Sequence, residues 1–337
     1  MIELRTPRGI AVAVPETDDE DPSPKFGAED IAGAAAYYEA NGYAIVRRLL
    51  PAEHCARVRA LWDEEVKPFT GFMYRQTTAM AERGVVNANG WIMNPILNLQ
   101  SVDPRRFPRF RTYATQDILT YGPLVEVFRH LIGDRPKIVQ SMYFEGNSAT
   151  WEHQDTYYLD SESPGEMAAA WIALEDIEAR AGRFFICPRS HLIRLDDHGL
   201  YNNVALHHET YIQSVVERID QDGLTIRAPF LRQGDVLFWN ARTIHGSLDS
   251  QDEARSRSSI TCHAIPSRKR FLKLQTRVLD IATDRVNGVD VYRPKDQALL
   301  VNRAILLIEA RFPRLFYWLK RQVIVFLVGR KVFRTGN

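Results

Sequence analysis

Two patterns of hydrophobic and polar residues divide the chain. Between residues 29 and 131, apolar residues recur every three or four positions in three segments that begin at proline or end at glycine, which predicts amphipathic helices. From about residue 138, apolar residues gather in short runs rich in branched and aromatic side chains: 138–144, 168–174, 184–187, 236–239 and 259–264. Glycine and proline separate these runs, which is typical of a β-sandwich or barrel. We therefore expect a mostly β domain with flanking helices.

The two ends of the chain differ from this central part. Residues 1–27 hold a cluster of acidic residues beside two prolines, which predicts a flexible acidic tail because such a stretch buries little apolar surface. Residues 28–290 are expected to form one domain, and residues 291–337 a basic amphipathic segment that Pro313 divides into two helices. Residues 192–232 are too long for a plain hairpin loop, so we expect an insertion over one end of the sheet.

Composition and charge exclude several classes of protein. Hydrophobic residues make up 45% and charged residues 25% of the chain, as in ordinary globular domains. The 43 basic and 42 acidic residues leave a net charge of +1, which gives no reason to expect a nucleic-acid partner. Cys55, Cys187 and Cys262 form no C-x-x-C pair, which argues against a zinc cluster or a disulfide framework. No apolar run is long enough to span a bilayer and no signal peptide is evident, so the expected location is cytoplasmic.

Candidate metal ligands lie in the strand-rich part of the chain. His153 and Asp155 are two positions apart, and alternate residues of a strand point to the same face, so the two can share one ion. His245 is a candidate for the third ligand. Two histidines and one carboxylate leave three open coordination positions, which suits a non-haem Fe(II) that binds a cosubstrate and dioxygen. Alone, an H-x-D triplet is a weak signal because it occurs by chance in many chains.

Two arginines follow His245 in the sequence, Arg255 and Arg257. A guanidinium group can hold a carboxylate through two parallel hydrogen bonds. An enzyme that uses 2-oxoglutarate requires such a group for the distal carboxylate of this cosubstrate. Because the two arginines share a strand face, their spacing leaves both of them as candidates.

Over residues 30–266 the chain resembles the phytanoyl-CoA dioxygenase family of Fe(II)/2-oxoglutarate oxygenases. The order and spacing of several short segments carry the resemblance: 40–46, 140–142, 153–155, 170–176, 187–191, 234–238, 245–247 and 257–263. The resemblance implies a double-stranded β-helix core, which is a cupin-like jelly roll. N-terminal helices and a C-terminal helical segment would flank this core.

The resemblance also implies roles for individual residues. His153, Asp155 and His245 would bind the iron, and Arg257, in preference to Arg255, would bind the distal carboxylate of 2-oxoglutarate. The residues expected around the cosubstrate are Gln154, Trp171, Ser247 and Met142. The residues considered for the substrate pocket are Gln140, Tyr143, Trp151, Tyr157 and Tyr158.

The implied reaction is hydroxylation of an unactivated C–H bond in a small molecule that is lipid-like, linked to CoA or a secondary metabolite. Fe(II) would be the cofactor and 2-oxoglutarate and O2 the cosubstrates, with release of succinate and CO2. Desaturation and cyclisation remain open, whereas halogenation is disfavoured because Asp155 occupies the position that chloride would need. The alternative is a cupin-like isomerase or hydrolase, which would use the same three ligands without 2-oxoglutarate and without Arg257.

The C-terminal segment is open to two interpretations. Residues 301–337 hold eight basic residues and one acidic residue, a net charge of +7, and residues 296–334 are rich in aliphatic and aromatic side chains. In one interpretation the helices pack on the domain or form a homodimer contact. In the other they lie at a membrane surface, where aromatic and basic side chains match the headgroup region. The run from Gln322 to Gly329 is too short to span a bilayer.

Overall fold

The computed structural model describes residues 1–146, 149–195, 204–320 and 322. The α-helices are α1 (Ile31–Asn41), α2 (Ala52–Leu61), α3 (Pro108–Tyr113), α4 (Gly122–Ile132), α5 (Val204–Gln221) and α6 (Leu300–Arg311). Wider π-helical turns, Trp62–Val66 and Ala114–Leu119, extend α2 and α3. Residues 313–320 are also helical.

The strands are short. In chain order they are β1 (Ile2–Arg5), β2 (Ala11–Val14), β3 (Lys25–Phe26), β4 (Tyr43–Val46), β5 (Met73–Tyr74), β6 (Ala81–Glu82), β7 (Ile96–Leu97), β8 (Pro136–Phe144), β9 (Thr150–His153), β10 (Leu159–Ser161), β11 (Ala168–Ala173), β12 (Phe184–Ile186), β13 (Val236–Asn240), β14 (His245–Ser247), β15 (Ser259–Pro266), β16 (Phe271–Lys273), β17 (Arg277–Leu279), β18 (Thr283–Val286) and β19 (Val289–Tyr292).

The main sheet has the strand order β18-β19-β8-β15-β11-β13-β4-β3, with β7 also paired to β8. Its central strands are antiparallel, and their side chains alternate between two buried faces. On one face, Ala170, Ile172 and Phe238 pack against the N-terminal helices. On the other face, Trp171 and Trp239 pack against the second sheet.

The second sheet has the order β12-β14-β9 and covers the inner face of the main sheet. Phe184 and Ile186 of β12 belong to the apolar cluster between the two sheets. The prediction of a mostly β core with flanking N-terminal helices is therefore confirmed, and the structure places these helices on the outer face of the main sheet. This arrangement matters for function because β9 and β14, which carry the candidate metal ligands, face the inner side of the main sheet.

The N-terminal residues differ from the expected flexible tail. β1 and β2 form an antiparallel hairpin, and Val12 and Val14 are buried against α5 residues such as Ile212. Arg47 pairs with Asp18 at 2.8 Å, so part of the acidic cluster is neutralised. The acidic composition hid the alternating valines, which supply the buried surface that orders this segment.

The C-terminal segment is anchored by one buried carboxylate. Glu309 of α6 accepts hydrogen bonds from the Tyr317 hydroxyl at 2.8 Å and the backbone N–H of Ala81 at 3.1 Å. α6 ends at Arg311 and a second helix begins at Pro313, which confirms the predicted break. No helix in the described ranges is long and apolar enough to cross a membrane.

The expected insertion over residues 192–232 contains α5, which contacts β9. The Tyr211 hydroxyl of α5 accepts a hydrogen bond from the backbone N–H of Gln154 at 2.9 Å. The helix therefore lies directly behind the segment that carries the candidate ligands. Residues 196–203 of the insertion lie outside the described residues.

Candidate active site

The structure brings the three candidate ligands together where two paired strands, β9 and β14, meet at their ends. His153 is the last residue of β9, His245 is the first residue of β14, and the two face each other in the antiparallel register. Asp155 follows β9, and its Oδ1 lies 3.8 Å from His153 Nε2 and 3.6 Å from His245 Nε2. One potential ligand atom from each residue lies within 4.8 Å of the others. A single metal ion fits among these atoms.

Backbone hydrogen bonds fix which nitrogen each imidazole presents. Nδ1 of His153 lies 2.8 Å from the carbonyl oxygen of Trp151, and Nδ1 of His245 lies 2.9 Å from the carbonyl oxygen of Thr243. A carbonyl oxygen only accepts, so each Nδ1 carries a hydrogen and each Nε2 is the nitrogen that remains to bind a metal. Metal-binding histidines use the same arrangement, which orients the ring and fixes its tautomer.

Two residues that sequence reasoning missed contact the outer oxygen of Asp155. Trp239 Nε1 donates a hydrogen bond to Asp155 Oδ2 at 2.8 Å, and His263 Nε2 lies 3.4 Å from the same oxygen. Oδ2 is thereby occupied, while Oδ1 faces the two histidine ligands. Strand alternation was a signal for His263. Arg257, Thr261 and His263 occupy alternate positions of the chain, at intervals of four and two, so they share one face of β15 and of the residues that lead into it.

The protonation states suit a divalent cation. Burial alone would raise the pKa of Asp155, but the imidazoles of His245, His263 and His153 outweigh it and hold this pKa below its usual range. Burial lowers the pKa of His245 to about 3. Asp155 is therefore ionised and His245 neutral near pH 7, which are the forms that bind metals.

Arg257 is a buried cation that lines the same cavity as the three candidate ligands. Its guanidinium lies 5.1 Å from the ring centre of Phe144 and 6.0 Å from that of Trp171. Nη1 donates a hydrogen bond to the carbonyl oxygen of Gly182 at 2.9 Å, while the buried Nε has no partner among the described residues. No carboxylate in the described part of the chain pairs with Arg257, and burial lowers its pKa to about 9. A buried cation is costly without a counter-charge, so this site suits an anionic ligand.

Arg255, the competing candidate, lies on the surface. It pairs with Glu178 at 2.6 Å and with Asp252 at 3.2 Å, and about half of its side chain is exposed. Its charge is therefore already balanced by two carboxylates. Of the two arginines, the structure places Arg257 in the cavity and Arg255 outside it.

A cavity of about 860 Å³ joins the candidate ligands to Arg257. Six further residues selected from the sequence line it: Gln140, Met142, Trp151, Tyr158, Trp171 and Ser247. Thr261 lines it as well, and its buried hydroxyl has no hydrogen-bond partner among the described residues. The cavity therefore offers a second unused polar group besides Arg257.

Gln154 was expected near the cosubstrate, but its side chain points elsewhere. The amide donates hydrogen bonds to the carbonyl oxygens of Arg242 at 2.6 Å and Ile193 at 3.0 Å. Gln154 does not line the cavity. This expectation is wrong because the backbone is extended at Gln154, so its side chain points away from the side to which His153 and Asp155 both face.

Tyr143 and Tyr157 were considered for the substrate pocket, but both belong to the core. Tyr143 stacks on Trp62 with ring centres 4.0 Å apart, on the helix-covered face of the main sheet. Tyr157 stacks on Tyr211 of α5 with ring centres 3.8 Å apart. Neither lines the cavity, so these two substrate-pocket predictions are wrong. Tyr143 alternates with Met142, which does face the cavity.

The sequence matches one family model over most of the fold. The model of phytanoyl-CoA dioxygenase (PhyH) matches residues 38–258, which include His153, Asp155, His245 and Arg257. This chain belongs to the phytanoyl-CoA dioxygenase family. No curated protein matches the chain.

Solved structures of similar fold include several 2-oxoglutarate-dependent enzymes. The non-haem carbocyclase SnoK from nogalamycin biosynthesis has a TM-score of 0.56 and 17% identity, covering 76% of this chain and 91% of SnoK. The epimerase SnoN, solved with Fe3+, α-ketoglutarate and nogalamycin RO, has a TM-score of 0.52 and 17% identity, covering 80% of this chain and 97% of SnoN. EctD from S. alaskensis, solved with 2-oxoglutarate and 5-hydroxyectoine, has a TM-score of 0.51 and 17% identity, covering 86% and 95%. At this identity the likeness shows a shared fold.

Proposed function

We propose that this member of the family is an Fe(II)/2-oxoglutarate-dependent oxygenase that hydroxylates an unactivated C–H bond of a small molecule. The observation that carries the proposal is the presence of three convergent ligands and one buried, unpaired guanidinium in a single cavity. Fe(II) and 2-oxoglutarate, when bound, would supply the activation of dioxygen that no side chain can provide.

In this proposal the residues of the chain hold and orient the reactants. His153, Asp155 and His245 would hold the metal, and the hydrogen bond from Trp239 keeps Asp155 in position. Arg257 would bind the distal carboxylate of 2-oxoglutarate, with the Thr261 hydroxyl as a further donor. Arg257 is 1% exposed and lies beside the rings of Phe144 and Trp171, so this charge-assisted contact would be stronger than a contact on the surface.

The oxidised product separates hydroxylation from the other reactions that this fold carries. SnoK is described as a carbocyclase and SnoN as an epimerase, so the fold alone does not determine the outcome. Incubation with candidate substrates, 2-oxoglutarate and 18O2 should give a product that gains one labelled oxygen atom, with release of succinate. A product that loses two hydrogens indicates cyclisation or desaturation, and an unchanged mass indicates epimerisation; either result contradicts hydroxylation.

The remaining cavity wall suggests the class of substrate. Apolar side chains such as Val139, Leu159 and Phe271 line it together with three lysines, Lys273, Lys295 and Lys320. Lys295 pairs with Glu309 at 3.3 Å, whereas Lys273 and Lys320 have no acidic partner in the described ranges. Desolvation at the cavity wall, with Arg277 and Lys320 nearby, lowers the pKa of Lys273. We therefore expect a substrate with an apolar body and an anionic group.

Lys273→Met should weaken the binding of an anionic amphiphile by about tenfold, because one charge-assisted hydrogen bond is lost. The measurement is a calorimetric titration with dodecyl phosphate, with dodecanol as the uncharged probe. Lys269→Met is the matched control, since Lys269 already pairs with Glu166 at 3.4 Å and does not line the cavity. Equal affinity of the wild-type protein for both probes would contradict the anionic part of the proposal.

A further inference from the structure

The C-terminal helices expose an unusual amount of apolar surface. Among the fifteen large hydrophobic residues that are exposed in the described part of the chain, nine lie between residues 299 and 319. Their exposed fractions range from 49% to 72%. The nine residues are Leu299, Leu300, Val301, Leu307, Ile308, Phe312, Leu315, Trp318 and Leu319. Large apolar side chains that are exposed in such number within one segment mark an interaction site.

The exposed charges on the same helices are all positive. Arg311, Arg314 and Lys320 are exposed beside the apolar residues. Glu309, the only acidic residue of the segment 299–320, is 1% exposed and is held by Tyr317 and Ala81. The surface therefore combines apolar and cationic groups with no exposed acid. We call the exposed residues of 299–320 the C-terminal face.

The sequence continues this composition beyond the C-terminal face. Residues 323–328 are six consecutive apolar residues, and Arg330, Lys331 and Arg334 follow them. No acidic residue occurs after Glu309. The positive charge thus extends over the whole C-terminal end of the sequence.

We propose that the C-terminal face docks on an anionic lipid membrane. Apolar side chains would enter the boundary between headgroups and acyl chains, while the arginines and Lys320 contact the lipid phosphates, as in helices that lie in the interface plane. In this proposal the helices lie on the membrane surface and do not span it. A second copy of the chain is a poorer occupant, since a symmetric contact pairs each patch with itself and brings like charges together.

The position of the cavity connects this surface with the proposed function. Tyr317 and Lys320 belong to the helical segment that follows Pro313, and both line the cavity. The C-terminal helical segment therefore forms part of the cavity wall, and docking of the C-terminal face would bring the cavity close to a substrate dissolved in the membrane. This link to substrate delivery rests on the proposed function, whereas the docking itself does not.

Co-sedimentation of the full chain with lipid vesicles tests the docking without any measurement of activity. We expect binding to vesicles of phosphatidylcholine and phosphatidylglycerol, weaker binding at high salt, and little binding to phosphatidylcholine alone. Each basic group near an anionic surface raises the partition coefficient by about fivefold. Arg311→Gln/Arg314→Gln should therefore lower it by about 25-fold, and Leu307→Gln/Leu315→Gln should lower it at all salt concentrations.

Two controls show whether a loss of vesicle binding is specific to the C-terminal face. Val85→Gln/Val86→Gln changes two residues outside the C-terminal face that are each 58% exposed, and it should leave vesicle binding unchanged. Trp318 is 56% exposed, so its fluorescence should shift to shorter wavelength on vesicle binding, and the shift should be lost in Trp318→Phe. Thermal unfolding of each variant confirms that it is folded.

Three results would overturn the proposal. The first is a full-length chain that binds neither type of vesicle. The second is equal binding to neutral and anionic vesicles. The third is a dimer in solution that Leu307→Gln/Leu315→Gln dissociates while vesicle binding is absent, which would assign the face to a second copy of the chain.

Discussion

Asp155→Ala should abolish iron binding and 2-oxoglutarate turnover. Asp155 provides the only carboxylate among the three convergent ligands, and without it the two imidazoles face the metal with no anionic partner. Even a change to a residue that only orients a ligand typically costs about 10–100-fold in metal affinity or activity, so loss of the ligand itself should cost more. The measurements are the iron content after anaerobic reconstitution and the rate of succinate formation.

Two further variants make this test specific. Trp239→Phe removes the hydrogen bond to Asp155 Oδ2 but leaves all three ligands, so an intermediate loss of about 10–100-fold is expected. His130→Ala removes a half-exposed histidine of α4 that lies outside the cavity and should leave iron content unchanged. An Asp155→Ala protein that retains normal iron content would exclude this residue as a ligand.

The metal ligands could be predicted from local spacing. However, strand alternation alone does not explain why His153 and Asp155 converge. β9 ends at His153, and Asp155–Tyr157 forms a 3-10 turn. His153 and Asp155 converge although only the first belongs to the strand. The same turn explains the error at Tyr157, because alternation past Asp155 would place it in the cavity, whereas it turns toward Tyr211 of α5.

Spacing can place His263 on the same strand face as Arg257, but it cannot show that His263 or Trp239 reaches Asp155. Trp239 contacts Asp155 because β13 pairs with β11 in a register that sets Trp239 opposite Ala169. His263 lies opposite Ala169 on the other side, through the pairing of β11 with β15. These registers depend on tertiary contacts between segments about 70–95 residues apart, and no local pattern encodes them.

The β1–β2 hairpin shows a different limit of sequence reasoning. The composition of residues 1–27 favours disorder, since acidic residues and prolines dominate residues 15–24, but Val12 and Val14 of the hairpin are buried against α5. Composition averages over a segment, whereas folding depends on whether a few apolar residues find a partner surface. The partner here is a helix about 200 residues away in the sequence.

The sequence could not distinguish Arg255 from Arg257, because only the structure shows that Arg257 is buried and Arg255 is exposed. Arg257→Met should raise the Kd for 2-oxoglutarate by at least about thirtyfold, since truncation of one partner in a buried charge pair costs about 2 kcal/mol or more. The measurement is an anaerobic fluorescence titration of the Mn(II)-loaded protein, in which turnover cannot occur. Arg255→Met is the matched control, because Arg255 pairs with Glu178 and Asp252 on the surface, and its Kd should match that of the wild-type protein.

Thermal unfolding separates this effect from a loss of folding. Arg257 is 1% exposed and has no carboxylate partner in the described ranges, so methionine removes an uncompensated buried charge and should not lower the Tm of the ligand-free protein. Saturating 2-oxoglutarate should raise the Tm of the wild-type protein, because ligand binding to the native state stabilises it, and this shift should be lost in Arg257→Met. If the metal-loaded wild-type protein does not bind 2-oxoglutarate, the cupin-like isomerase or hydrolase becomes the better explanation, because that chemistry needs the three ligands and leaves Arg257 without a role.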